Sequence, residues 1–190
     1  EPTTMLKVQG LDVDIGPTPI LHNIALEVPS GATCGLIGRN GAGKTTFLRA
    51  IMGALHAKAG SITFDNVDLV ATKPHDPASM GIGFMPEDRR LVPQLTAEEN
   101  ILLPTWSTKM GNVEKRLRWI YDLMPEVEEF RERGATQLSG GQQKFVAFAR
   151  ALMRGTKFVL LDEPSEGIAP VFALRMVEIM ADLKREGESV

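Results

Sequence analysis

The chain has 190 residues, 43% hydrophobic and 24% charged, enough for one medium-sized domain with a sizeable core. Its 21 Lys and Arg against 24 acidic residues give a net charge of −3, which excludes a global basic field that would favour nucleic acid. One cysteine, Cys34, excludes an internal disulfide and fits a reducing compartment, and neither a membrane-length apolar run nor a signal peptide is visible.

Residues 5–15 and 20–28 predict two strands joined by the turn Gly16-Pro17-Thr18-Pro19. Pro29-Ser30-Gly31 separates this hairpin from the apolar run Thr33-Cys34-Gly35-Leu36-Ile37, which predicts a buried strand with Cys34 as a small core residue. Residues 47–52 predict a helix and 60–64 a short strand, followed by a turn at Asp65-Asn66. Residues 66–80 contain Pro74 and Pro77 and read as loop with at most a short helix, and Gly83-Phe84-Met85-Pro86 ends another short strand.

From about 95 to 155 the pattern is helical. Val113, Leu117, Ile120, Tyr121 and Met124 recur at 3–4 spacing, the seam of a small helical subdomain. Phe158-Val159-Leu160-Leu161 is a continuous apolar run, as in a central parallel strand covered on both faces. A last helix over roughly 171–186 places Phe172, Met176, Ile179, Met180 and Leu183 on one face. The chain opens on Glu1 rather than Met and stops at Val190 where an α/β fold would enter another strand, so a fragment is expected. His22, His56 and His75 have no partners at metal-ligand spacing and read as surface or turn residues. Trp106 and Trp119 read as packing residues or as part of a partner surface.

Between the third predicted strand and the first helix stands Gly38-Arg39-Asn40-Gly41-Ala42-Gly43-Lys44-Thr45-Thr46, the pattern G-x-x-x-x-G-K-T. Glycines let the backbone curl around a polyphosphate with successive N–H groups pointing inward, and the helix N-terminus adds partial positive charge. Lys44 can reach the β- and γ-phosphates, the Thr45 hydroxyl can bind Mg²⁺, and Thr46 can donate to the α-phosphate. A nucleoside triphosphate site follows from this context. Asp162 and Glu163 close the apolar run 158–161, and carboxylates at the C-terminal end of a parallel strand sit beside such a loop. Asp162 can hold Mg²⁺ through water, and Glu163 can orient or deprotonate the water that attacks the γ-phosphate. Leu138-Ser139-Gly140-Gly141-Gln142, before a helix, offers a second anion site from bare N–H groups, a hydroxyl and the helix dipole. A single compact domain has no use for two distant phosphate sites unless they meet across a dimer.

In this order and spacing the three motifs resemble the ABC-type ATPases over essentially the whole chain. The resemblance implies an α/β fold: a P-loop NTPase core with an antiparallel β edge, at about 1–89 and 151–190, and a helical subdomain at about 90–150. It implies one ABC ATPase domain over 1–190, cut short at its C-terminus. It also implies ATP and Mg²⁺ sandwiched between two subunits, whether identical or not, facing head to tail. Ser139, Gly140, Gly141 and Gln142 would then act in trans, and Lys44, Thr45, Asp162 and Glu163 in cis. The implied partners are this second ATPase subunit and transmembrane permease subunits, with peripheral attachment at the cytoplasmic face of the cell membrane and no nucleic acid. Residues 81–90, 95–100 and 162–170 are similar to the ATP-binding subunits of bacterial branched-chain amino-acid importers, with urea-type relatives as the nearest competitor. The rivals are a soluble ABC ATPase acting on DNA or ribosomes, which would need a long coiled coil or tandem cassettes, and a nucleotide-gated regulatory subunit.

Three positions depart from the general pattern of that family. Glu87 stands where a Gln usually senses Mg²⁺ and couples to the membrane subunit, while Gln94 comes too late to substitute; Glu87 is a further candidate for the metal or the attacking water. Ile15 replaces the aromatic residue that stacks on adenine, a contact worth about 1–3 kcal/mol per base in nucleic-acid complexes. Ala169 stands where many relatives carry Asp. Arg89 and Arg90 read equally as a solvated pair or as a contact for an acidic permease helix.

Overall fold

The computed structural model describes residues 4–71, 76–107 and 110–190. Strands β1 (Thr4–Ile15) and β2 (Thr18–Pro29) pair antiparallel about the turn Gly16-Pro17, and Thr18 and Pro19, expected in the turn, begin β2. Along β1 the inward residues are Leu6 and Val8, then Leu11 and Val13, each at most 1% exposed. The parity changes at Gly10, with φ 59°, where the pairing register shifts between Val8 and Leu11. An unbroken period of 2 would have turned Leu11 and Val13 to solvent.

Strand β3 (Ala59–Phe64) pairs with the other side of β1, and β4 (Val67–Asp68) pairs with β3, giving an antiparallel sheet in the order β2-β1-β3-β4. Strand β4 falls in the stretch expected to be loop. Asp65 and Asn66, at φ 49° and 65°, fold the chain straight back, and so short a strand carries no periodicity to read. The expected short helix is α2 (Asp76–Ser79), while Pro74 and His75 lie outside the described residues.

Strands β5 (Ile82–Met85) and β6 (Phe158–Leu161) pair in parallel. Strand β6 is covered on both faces, as its unbroken apolar run implies. Phe158 and Leu160 pack with β1, β3 and with Phe47, Leu48 and Ile51 of α1 (Lys44–Ile51), whereas Val159 and Leu161 face the helices.

The run 33–37 is not a buried strand. Its ladder is limited to Cys34 N donating to Val190 O (2.9 Å) and Val190 N donating to Ala32 O (3.1 Å). Ser189 in turn bridges to Phe158. Among the described residues Gly35, Leu36 and Ile37 make no backbone hydrogen bond, and Ile37 is 97% exposed. Cys34, expected in the core, is exposed for the same reason. A strand exists by its neighbours' N–H and C=O groups, and apolar composition alone does not supply them. An apolar trough of about 270 Å³, lined by Leu6, Val28, Leu36, Phe47, Leu160 and Leu161, lies between this run and β6.

The helical part comprises α3 (Ala97–Trp106), α4 (Val113–Leu123), α5 (Pro125–Glu129) and, after a 3-10 turn at Ala135–Gln137, α6 (Gly140–Arg154). Thr96 and Glu99 close a capping box at the start of α3. Buried Asn100 accepts from Val92 N (2.7 Å) and donates to Val92 O (3.1 Å) and Thr96 O (2.9 Å), folding the preceding loop onto α3. The seam expected on α4 is observed: Ile120, Tyr121 and Met124 are buried, with Val113 and Leu117 against them. Phe145, Val146, Ala147, Phe148 and Ala149 are all buried, so α6 is apolar nearly all round and runs through the centre, against α3 and β5. Helix α7 (Pro170–Arg185) buries Met176, Ile179 and Leu183 as its spacing predicts. Trp119 Nε1 donates to Glu186 and its ring lies 4.0 Å from the Arg116 guanidinium, whereas Trp106 is 61% exposed. No helix among the described residues is long and apolar enough to cross a membrane.

Candidate functional site

The phosphate loop turns on itself through Ala42 N donating to Arg39 O (3.0 Å), and Gly43, at φ 95°, hands the chain to α1. Only glycine serves there: a Cβ at Gly43 would lie 2.7 Å from a Leu21 methyl, and φ is left-handed. No side chain caps α1 and its first turn holds no acid, so the N–H groups of Lys44, Thr45 and Thr46 are left to face a ligand. The Lys44 ammonium donates to Gly38 O (2.6 Å) and lies 3.3 Å from Glu163 Oε1. A cleft of about 400 Å³ is lined by residues 40–46 together with Ile20, Glu87, Glu163 and Glu166. Loop, Lys44, Thr45 and two of the expected carboxylates therefore converge.

Asp162 is 2% exposed, its backbone N donates to Met85 O (2.9 Å), and its Oδ2 has no hydrogen-bond partner among the described residues. A buried, acceptor-only oxygen without a donor is what a hard divalent cation or its bound water satisfies. On the phosphate-loop cleft the Thr45 hydroxyl and the Glu87 carboxylate offer two further hard oxygen ligands, while Asp162 lines the adjoining trough with Lys44 and Glu163 rather than the cleft itself. The group therefore fits Mg²⁺. Among the described residues no three His, Cys, Asp or Glu side chains are grouped so that they could hold a metal ion by themselves, so such a cation would complete its shell from phosphate and water.

The signature residues lie elsewhere. Ser139 N-caps α6: its Oγ accepts from Gln142 N (3.2 Å) while Gln142 Oε1 accepts from Ser139 N (2.9 Å). Gly141 is buried, and a Cβ there would lie 2.5 Å from the Phe172 ring. Ser139, Gly140, Gly141 and Gln142 do not line the phosphate-loop cleft of the same chain.

Two cleft features escaped the sequence reading. Glu166 joins the cleft because its N–H donates to Glu163 O (3.1 Å), turning its carboxylate back toward Glu163; its signal was a third acid four residues after Asp162. Lys144, a charge at the head of the apolar stretch of α6, is 2% exposed and donates to Glu87 O and Glu163 O, both at 3.0 Å. Burial pushes its pKa below the ordinary lysine range, and the charge of Arg89 adds to this. Arg89 donates to Gln143 Oε1 (3.0 Å), and Arg90 pairs with Asp88 (2.8 Å), so both are tied within the structure. His22 is a surface residue beside Asp12 (3.2 Å), and His56 is exposed. Ile15 is exposed at the end of β1.

A profile of the ABC transporter family matches residues 21–166, from β2 through both the phosphate loop and the carboxylate pair. The chain belongs to the ABC transporter family. This ABC cassette is 36% identical over 186 residues to the high-affinity branched-chain amino acid transport ATP-binding protein BraG of Pseudomonas aeruginosa, covering 98% of this chain and 80% of the relative. It is 31% identical over 188 residues to the lipopolysaccharide export system ATP-binding protein LptB of Acidithiobacillus ferridurans, covering 98% and 78%. Among solved structures, a dimeric post-hydrolysis ATP-binding cassette bound to ADP and Pi superposes with a TM-score of 0.83 at 27% identity, over 98% of this chain and 86% of that one. A nucleotide-free cassette from an ABC transporter gives 0.82 at 26% identity, over 98% and 79%. The α/β ABC ATPase fold and ATPase activity read from the motifs are thereby established, as is the role of ATPase subunit of a transporter.

Proposed function

We propose that this cassette binds Mg-ATP at the phosphate loop, closes head to tail on a second ABC ATPase subunit, and drives a permease that imports branched-chain amino acids. The observation that carries the ATP-site reading is the convergence of Lys44, Thr45, Glu87 and Glu163 on one cleft at the N-terminus of α1. The uncapped N–H groups of α1 and the Lys44 ammonium bind the phosphates, and Thr46 donates beside them. Glu163, held by Lys44 on the cleft wall, orients the attacking water and accepts its proton. Thr45 and Asp162, with Glu87 as a further ligand, would hold Mg²⁺, which supplies charge neutralisation on the phosphate oxygens. Ser139, Gly140, Gly141 and Gln142, absent from their own chain's cleft, supply the second anion site from across the dimer.

The substrate assignment rests on the likeness to BraG and to the probable branched-chain amino acid transport protein LivF of Archaeoglobus fulgidus, 29% identical over 184 residues. The LptB relatives serve export instead, so the ATPase machinery alone does not select the cargo. For the permease contact, a groove of about 430 Å³ lined by Phe84, Pro104 and Arg150 opens next in the chain to the exposed Trp106. Ile82 and Phe84 of the core and Pro104 and Arg150 of the helices form this groove together, and it receives a permease loop. The cassette then sits at the cytoplasmic face of the membrane as a peripheral subunit. Affinity purification of the tagged cassette from membranes of its host tests this. Recovery of a permease whose complex shows leucine- or valine-dependent ATP turnover is expected, and recovery with lipopolysaccharide-export components would contradict the cargo.

A further inference from the structure

We infer that Lys144 is a positioning residue, which locks the hydrolytic glutamate and the Glu87 loop to the signature helix through one buried ammonium. The inference rests on the reading of Glu163 as the hydrolytic carboxylate. Lys144 stands on α6 just after the signature, whose Ser139 caps the same helix. Its ammonium spans the two loops that line the cleft, donating to Glu87 O and to Glu163 O at 3.0 Å each. It has no carboxylate within ion-pair distance among the described residues, and its hydrogen-bond partners there are two backbone carbonyls. A buried cation needs such acceptors, and a neutral side chain of the same shape would leave both carbonyls without this donor.

The backbone of both loops is unusual where α6 grips it. Glu163 has φ 47°, a region that a residue with a side chain rarely occupies, and its carbonyl is held by Lys144 and by Glu166 N (3.1 Å). Arg89 and Arg90 have φ 61° and 48°, and their carbonyls accept from Arg150, also on α6. Gln143, the residue before Lys144, accepts from the Arg89 guanidinium, which lies against signature Gly140. Strained peptides persist only when their surroundings over-determine them. Helix α6 supplies those surroundings, and Lys144 hydrogen-bonds to both loops. A shift of α6 on contact with a partner's nucleotide would thus reach Glu163 and Glu87 together.

The test uses the purified cassette with its companion subunits, comparing Lys144→Met, Lys144→Gln, Lys144→Arg and Glu163→Gln by steady-state turnover, ATP-analogue titration and thermal melting. Lys144→Met, which keeps the volume and loses every donor, should lower kcat by about tenfold or more while KM and ATP affinity stay within about threefold. Lys144→Gln and Lys144→Arg, which keep donors, should recover much of the loss. If Lys144→Met fails to fold, Lys144→Gln against Lys144→Arg carries the same comparison: Arg, long enough and with donors for both carbonyls, should turn over faster than the shorter Gln at equal affinity, and the reverse order would overturn the proposal. A kcat for Lys144→Met within twofold of wild type, or parallel losses of kcat, affinity and melting temperature without rescue, would overturn the proposal. Full turnover by Glu163→Gln would instead overturn the assignment of Glu163, which separates the two failures.

Discussion

Glu163→Gln should lower steady-state ATP turnover by about 10²–10³-fold while the cassette still binds ATP. The amide is nearly isosteric and remains within reach of Lys44, which now lies 3.3 Å from Glu163 Oε1. Gln accepts a hydrogen bond but cannot take a proton, so the loss falls on kcat rather than on affinity. The left-handed backbone at residue 163 and its carbonyl contact with Lys144 are unaffected by the change, because they belong to the main chain. Turnover measured by phosphate release, beside a fluorescent-nucleotide titration, checks both halves. Equal rates for mutant and wild type would show that another group activates the water, and Glu87 or Glu166 on the same cleft would be next in line.

Lys44→Ala acts one step earlier, on binding. The ammonium is the only basic side chain lining the cleft among the described residues, against three glutamates there. Removing it deletes the point charge for the phosphates and leaves Glu87, Glu163 and Glu166 to repel them. It also releases Gly38 O, which Lys44 holds at 2.6 Å. Truncating one partner of a buried charge pair costs about 2–5 kcal/mol, so ATP affinity should fall by roughly 30-fold to several thousandfold. Isothermal titration with Mg-ATP reads this directly. Unchanged affinity would move the phosphates away from the loop.

The phosphate loop and the carboxylate pair were legible because their chemistry is local. Spacing along G-x-x-x-x-G-K-T already determines which N–H groups and which ammonium can meet an anion, whatever surrounds them. The face of α7, the seam of α4 and the two-sided burial of β6 were legible from period and run length. What failed depended on neighbours distant in sequence. Residues 33–37 have the composition of a buried strand, yet the run meets a pairing partner only at Val190, so Cys34, Leu36 and Ile37 are exposed. Lys144 carries no signal of its own in the sequence, where it stands between Gln143 and Phe145. Its role appears only once α6 lies across the loops at Glu87 and Glu163, 57 and 19 residues away in the chain. Glu166 is similar: it is a cleft residue because a turn after Glu163 brings it back.

In the proposed function the phosphate loop of one subunit works with the signature of the other. The most direct measurement mixes two inactive variants, Lys44→Ala and Ser139→Arg, and follows ATP turnover. If the sites are shared, a mixed dimer contains one site with both an intact Lys44 and an intact Ser139. Random pairing of identical subunits then restores roughly a quarter of the wild-type rate, because half the dimers are mixed and each holds one working site. If each chain completes its own site, every site in the mixture keeps one defect. The mixture would then stay as inactive as its parts, and that result would rule out a site shared between subunits.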